Sequence, residues 1–129
     1  MNLAYTNSDN ISYPDPDVWQ LRFRNRLFIR DERYIYSIEP GSILFLQASG
    51  NYTQIVLEDG RKFTLSKTLK YYEQILGDQF FRPHHSYLVN FYRVTQVMLK
   101  NGICLVVEGD FKIPVANSRK RSVLNLFKN

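Results

Sequence analysis

Apolar and polar residues alternate along most of this 129-residue chain, and the alternation predicts strands. Leu27-Phe28-Ile29-Arg30 and Tyr34-Ile35-Tyr36-Ser37-Ile38 flank a polar Asp31-Glu32-Arg33 turn and read as a hairpin. Beyond the Pro40-Gly41 break come Ile43-Leu44-Phe45-Leu46, a Ser49-Gly50-Asn51 turn and Tyr52-Thr53-Gln54-Ile55-Val56-Leu57. Glu58-Asp59-Gly60-Arg61 then turns the chain back into Lys62-Phe63-Thr64-Leu65, a second hairpin. Here the period changes: Leu69, Tyr72, Ile75 and Leu76 recur at helical spacing, with Ser66 as cap and Gly77 as stop, so an apolar stripe should pack on a sheet. Further on, Val94–Lys100, Asn101-Gly102, Ile103–Glu108, Gly109-Asp110 and Phe111–Val115 spell a three-stranded meander, with Pro114 at an edge or strand end. A short helix from about Ser118 to Phe127 follows, turning Val123, Leu124 and Phe127 toward the core. The fold class is therefore mostly β with two short helices.

Composition adds boundaries. Residues 1–20 read as a polar tail, because Tyr13-Pro14-Asp15-Pro16-Asp17 favours turns, and Trp19 within it reads as an anchor onto the domain. Residues 21–129 form one domain, long enough for a single core. The lone Cys104 excludes an internal disulfide and a cysteine-based zinc cluster; between Ile103 and Leu105 it reads as a buried strand residue. A reducing compartment fits that usage, and no apolar run approaches the roughly 18 residues of a membrane span, so a cytoplasmic protein without a membrane partner is expected.

Charge is unevenly spread. Residues 80–129 carry eight basic side chains against Glu108 and Asp110, a net of +6, whereas residues 1–79 carry nine basic and ten acidic ones, a net of −1. A polyanion is the first partner to consider, since Lys and Arg on one face release counterions from phosphates. Arg119, Lys120 and Arg121 crowd the first turn of the last helix, where the macrodipole disfavours cations, and a bound anion held with Ser118 and free backbone amides would resolve the conflict.

The segment Phe80-Phe81-Arg82-Pro83-His84-His85-Ser86-Tyr87-Leu88-Val89-Asn90 packs hydrogen-bonding side chains just before a short apolar strand. Strand neighbours point to opposite faces, so one histidine serves a surface while the other, His84, turns inward to a backbone partner. Adjacent histidines without a thiol cluster make a poor metal site, and Ser86 lacks a nucleophile elbow. Neither catalysis, metal nor cofactor is expected.

Four ordered blocks resemble one family. Ile43-Leu44-Phe45-Leu46-Gln47-Ala48-Ser49-Gly50-Asn51-Tyr52, Leu65-Ser66-Lys67-Thr68-Leu69, Phe81-Arg82-Pro83-His84-His85-Ser86-Tyr87-Leu88-Val89-Asn90 and Ile113-Pro114-Val115-Ala116-Asn117-Ser118-Arg119 are similar to the LytTR family of bacterial DNA-binding domains, from about Leu27 onward. The resemblance implies an elongated arrangement of small antiparallel sheets that binds double-stranded DNA through loops, as the output domain of a response regulator controlling transcription. It implies direct-repeat sites, a weak homodimer on DNA and a separate signalling protein. Its three reading loops fall on Asn51 and Tyr52, on His85 with Ser86, and on Asn117 with Ser118, Arg119, Lys120 and Arg121; Arg82 and His84 hold their loop. Asparagine can pair bidentately with adenine, and arginine with guanine or phosphate. Two departures stand out: Ala116-Asn117 replaces the common Ser-Arg, and only a short tail precedes the domain, too short for a phosphoacceptor module.

Two alternatives stay open. One keeps the fold but makes it a protein-binding adaptor acting through Trp19 and aromatic surface. The other is a single-strand binder that stacks bases on some of the nine Tyr and nine Phe residues.

Overall fold

The computed structural model describes residues 26–128; the tail, its boundary and the Trp19 anchor lie outside them. Among the described residues, ten strands and two α-helices follow one another: β1 Leu27–Arg30, β2 Ile35–Ile38, β3 Ile43–Ser49, β4 Tyr52–Leu57, β5 Lys62–Leu65, α1 Leu69–Leu76, β6 Phe80–His84, β7 Tyr87–Asn90, β8 Val94–Met98, β9 Cys104–Val107, β10 Phe111–Pro114 and α2 Lys120–Leu126. Short 3-10 turns at Pro40–Ser42, Phe91–Arg93 and Asn117–Arg119 join some of them. The predicted mostly-β class with small antiparallel sheets and two helices is what the described residues form.

A five-stranded antiparallel sheet in the order β5-β4-β3-β7-β6 lies at the centre, with the β1–β2 hairpin and the β10-β9-β8 meander as separate sheets. The central sheet is buried on both faces, which is why Ile43-Leu44-Phe45-Leu46 reads as a continuous apolar run instead of alternating. On one face Ile43, Leu46, Ile55, Leu57 and Leu88 meet Leu27, Ile29 and Ile38 of the hairpin and Leu69, Tyr72 and Leu76 of α1. On the other, Phe45, Val56 and Val89 meet Leu105, Val107 and Ile113 of the meander and Val123 of α2. A register shift between Ile43 and Phe45 lets Leu44 and Phe45 join the same face. Each such side chain contributes on the order of 1.5–3 kcal/mol by leaving water.

Several local expectations are corrected. Thr68, not Ser66, caps α1: its Oγ1 accepts the Tyr71 amide at 3.2 Å, while Ser66 sits in the bend before it. Ile75 is 43% exposed, because the helix's narrow contact with the sheet is filled by Leu69, Tyr72 and Leu76. Cys104 is half-buried rather than core, since the strand period that turns Leu105 inward turns it to the outer face of the meander. Pro114 does end an edge strand.

One buried amide fixes the sheet's junction with the meander. Asn90, 1% exposed, donates Nδ2 to the Ile43 carbonyl at 2.9 Å and accepts the Tyr92 amide on Oδ1 at 3.0 Å. Both ends of its side chain are satisfied, as burial demands. Nearby, Arg93 donates to the Gly41 carbonyl at 2.9 Å and pairs with Glu58 at 2.7 Å and Glu108 at 2.9 Å, tying the central sheet to the meander. Arg93 is thereby removed from the basic side chains open to a polyanion.

Candidate nucleic-acid interface

The first loop is the two-residue turn between β3 and β4, closed by the Ser49–Tyr52 pair. Gly50 has φ 60 while Asn51 stays negative, the type II′ pattern that matches strand twist and that glycine alone adopts freely at its first position. Asn51 and Tyr52 are exposed at its tip, and Thr53, 1% exposed, roots it by donating Oγ1 to the Lys67 carbonyl at 2.8 Å.

The second loop is the His85-Ser86 turn, closed by the His84–Tyr87 pair. Its backbone is held from three sides. Arg82 Nη2 donates to the His85 carbonyl at 2.6 Å while Nη1 bonds Glu73 at 3.0 Å; the Ser86 amide donates to His84 Nδ1 at 3.1 Å; the Ala48 amide donates to the Ser86 carbonyl at 2.9 Å. Arg82 and His84 thus do hold the loop. The opposite-face expectation for the histidines fails: their rings stack with centroids 4.5 Å apart and planes 26° from parallel. The strand rule stops at His84, where the turn begins, so His85 swings onto its neighbour. His84 is half-buried, and burial, with His85 and Arg119 adding to it, pushes its imidazole below its ordinary pKa. His85 is exposed, and Ser86 is half-buried with its backbone engaged.

The third segment follows β10. The Val115 amide donates to the Ile103 carbonyl at 3.2 Å and the Ala116 amide to the Pro83 carbonyl at 2.9 Å, so this segment crosses from the meander to the edge of the central sheet. Asn117, Ser118 and Arg121 are exposed and Lys120 is half-buried. The expected anion cradle is not assembled. The helix proper begins at Lys120 and is seven residues long; the amides of Arg119 and Lys120 are already used by the 3-10 turn, on the Ala116 and Asn117 carbonyls, and Ser118 caps nothing. Arg119 is itself committed, donating Nη1 to the Arg82 carbonyl at 2.7 Å.

These bonds bring all three loops to one end of the molecule. β3 and β7 are adjacent, so the first two turns stand about 10 Å apart, two strand spacings. The third lies against β6 beside the second. Sequence reading overlooked Lys67, which the buried Thr53 draws to the same end; a threonine at an otherwise apolar strand position was the available signal. The five connections here, at 50–51, 66–68, 85–86, 99–103 and 115–119, contain no carboxylate. The five at the opposite end, at 39–42, 58–61, 77–79, 91–93 and 108–110, contain Glu39, Glu58, Asp59, Asp78, Glu108 and Asp110; the β1–β2 turn at 31–34, with Asp31 and Glu32, belongs to neither set, and Glu73 of α1 pairs with Arg82 beside the second loop. Among the described residues no cluster of three metal-ligating side chains occurs.

A strand-built module that offers loops, free of negative charge, at one end is a class of protein suited to polyanions. The comparisons with known proteins name the class more closely. The family model for the LytTr DNA-binding domain matches residues 33–128. Among solved structures, a LytTr DNA-binding domain assigned to a methyl-accepting/DNA response regulator from Bacillus cereus superposes with a TM-score of 0.71, at 18% identity, covering 81% of this chain and 98% of that one. No curated protein matches. The chain belongs to the LytTR family, a family of DNA-binding domains.

Proposed function

We propose that this protein binds duplex DNA in a sequence-specific manner through its loops and acts as a small bacterial transcriptional regulator in the cytoplasm. The observation that carries this reading is the row of exposed amide and imidazole side chains, Asn51, His85 and Asn117, on three connections that themselves contain no carboxylate, with the exposed Arg121 guanidinium just beyond the third; Glu73, the carboxylate beside the second loop, is paired with Arg82. Neither helix offers itself for a groove: α1 packs on the sheet, and α2, seven residues long, measures only about 10 Å. Asn51 and Asn117 are assigned to base edges, adenine being the fitting partner for each, and His85 to a base edge or phosphate. Tyr52, Ser86, Ser118, Lys120 and Arg121 surround them, with Arg121 taking guanine or phosphate. With Ala116-Asn117 in the place of Ser-Arg, adenine replaces guanine as the base favoured at that position. One protomer offers one such row, so direct repeats holding a weakly associated pair, switched by a separate signalling protein, fit this reading.

Selection of duplexes from a random library, then titration of the enriched and a scrambled sequence across salt, tests it. Preferential binding to the enriched duplex with a steep salt dependence is expected, and Asn51→Ala, His85→Ala and Asn117→Ala should each lose about 1–3 kcal/mol of discrimination. No enrichment, or displacement by the same sequence as a bare single strand, would sink the proposal.

A further inference from the structure

The strand ends at the loop-bearing pole form a row whose order follows from the pairing. Lys67 comes first, fastened beside the start of β4 by Thr53. Next stand the β3–β4 turn and the His85-Ser86 turn, and then Asn117, reached through the Ala116 amide on the Pro83 carbonyl. The β8–β9 tip closes the row, joined through the Val115 amide on the Ile103 carbonyl, and it carries Lys100 beside Asn101. Four strand intervals of about 4.8 Å separate β5 from β6, about 19 Å, and the meander adds about 10 Å or more. The row therefore approaches one helical turn of duplex, about 34 Å.

Resting on the DNA-binding reading, we infer that Lys67 and Lys100 are backbone clamps at the two ends of this row, each gripping a phosphate outside the bases that the three loops read. Both side chains are exposed, and neither is in an ion pair among the described residues, whereas Arg61, Arg82 and Arg93 all are. The Lys67 ammonium lies 5.4 Å from the Tyr71 ring centroid, an exposed cation–π contact that holds it at the surface without neutralising it. Lys100 is lifted at the tip by Asn101 and Gly102, with φ 61 and 98. An ammonium is a strongly hydrated point charge without the planar fork that reads guanine, so its contribution is affinity and register, and the bases between the clamps are read by others.

The test uses the full chain with Lys67→Ala, Lys100→Ala and the double variant, titrated against the enriched and scrambled duplexes across salt. Each single variant should weaken binding to both duplexes by the same factor, about 8-fold near 0.1 M salt, and reduce the slope of log K against log salt by about 0.9, one phosphate each. The double variant should lose twice that slope, arginine at either position should restore it, and the thermal transition should not move. An unchanged slope in variants of a protein that itself binds with steep salt dependence would overturn the clamps alone. A changed ratio between the two duplexes would reassign the lysine to a base. If the unaltered protein binds no duplex in a salt-dependent way, the clamps fall together with the DNA-binding reading.

Discussion

His84 takes the Ser86 amide on Nδ1, and a proton on that nitrogen would end the bond. Its pKa is depressed below the ordinary 6.5 chiefly by burial, then by His85 and Arg119. The sign follows: between 6.5 and the lower folded value the unfolded chain binds a proton that the folded chain resists. Stability from this residue is therefore complete above 6.5 and declines as pH falls through that window. Denaturant midpoints measured from about pH 8 down to about pH 5 should drop more in the natural protein than in His84→Asn. Equal drops would show that His84 is not the titrating group. At this scale the sequence was half legible. The Arg-Pro-His-His-Ser cluster announced a held loop, and a backbone partner for His84 was foreseen. The stacking of the two rings was not, because a residue pair that straddles a strand end obeys neither the strand rule nor the turn rule by itself.

Strands were legible wherever one side faced water. The β8–β9–β10 meander came through its Asn-Gly and Gly-Asp turns, each with positive φ at Asn101, Gly102, Gly109 and Asp110. The C-terminal element was read less well. A crowd of cations on a helix N-terminus suggested a cradle, but a 3-10 turn consumed the amides first, and nothing in Ala116-Asn117-Ser118 signals that turn in advance. The consequence separates two arginines. Arg119 bonds the Arg82 carbonyl and joins the last segment to β6, so Arg119→Ala should lower stability by about 1.5–3 kcal/mol, the range for a charge-assisted hydrogen bond, and weaken DNA binding by misplacing Asn117. Arg121 is exposed, and Arg121→Ala should weaken DNA binding with stability unchanged. Urea denaturation beside a DNA titration reads both; equal stability losses would refute the division.

For the molecule as a whole, the two cores share one sheet, and Arg93 fastens the meander to that sheet at the end remote from the loops. Arg93→Ala removes the bond to Gly41 and the pairs to Glu58 and Glu108; because those carboxylates are 45% and 41% exposed, the pairs contribute little beyond the bond to Gly41. A loss of about 2 kcal/mol in urea denaturation with unchanged DNA affinity is expected, and a large affinity loss would mean that the two ends are mechanically coupled. This fastening was invisible in the charge count, which scores a cation by its position in the chain and not by what it faces. The count placed the positive excess in the C-terminal half, whereas the connections of the folded chain differ by pole, with carboxylates in those at 39–42, 58–61, 77–79 and 108–110 and none in those that form the loop end, where Glu73 of α1 is paired with Arg82. Among the described residues, carboxylates in the connections at one pole and Lys67 and Lys100 at the other contribute a dipole component along the strands. Under the proposed loop-mediated binding, the field of a polyanion exerts a torque on that component before contact and favours encounters that begin loops-first. Orientation, the usual bottleneck between diffusion and docking, is thereby shifted from chance collision to the field itself, and it fades as salt shortens the Debye length to about 10 Å and below.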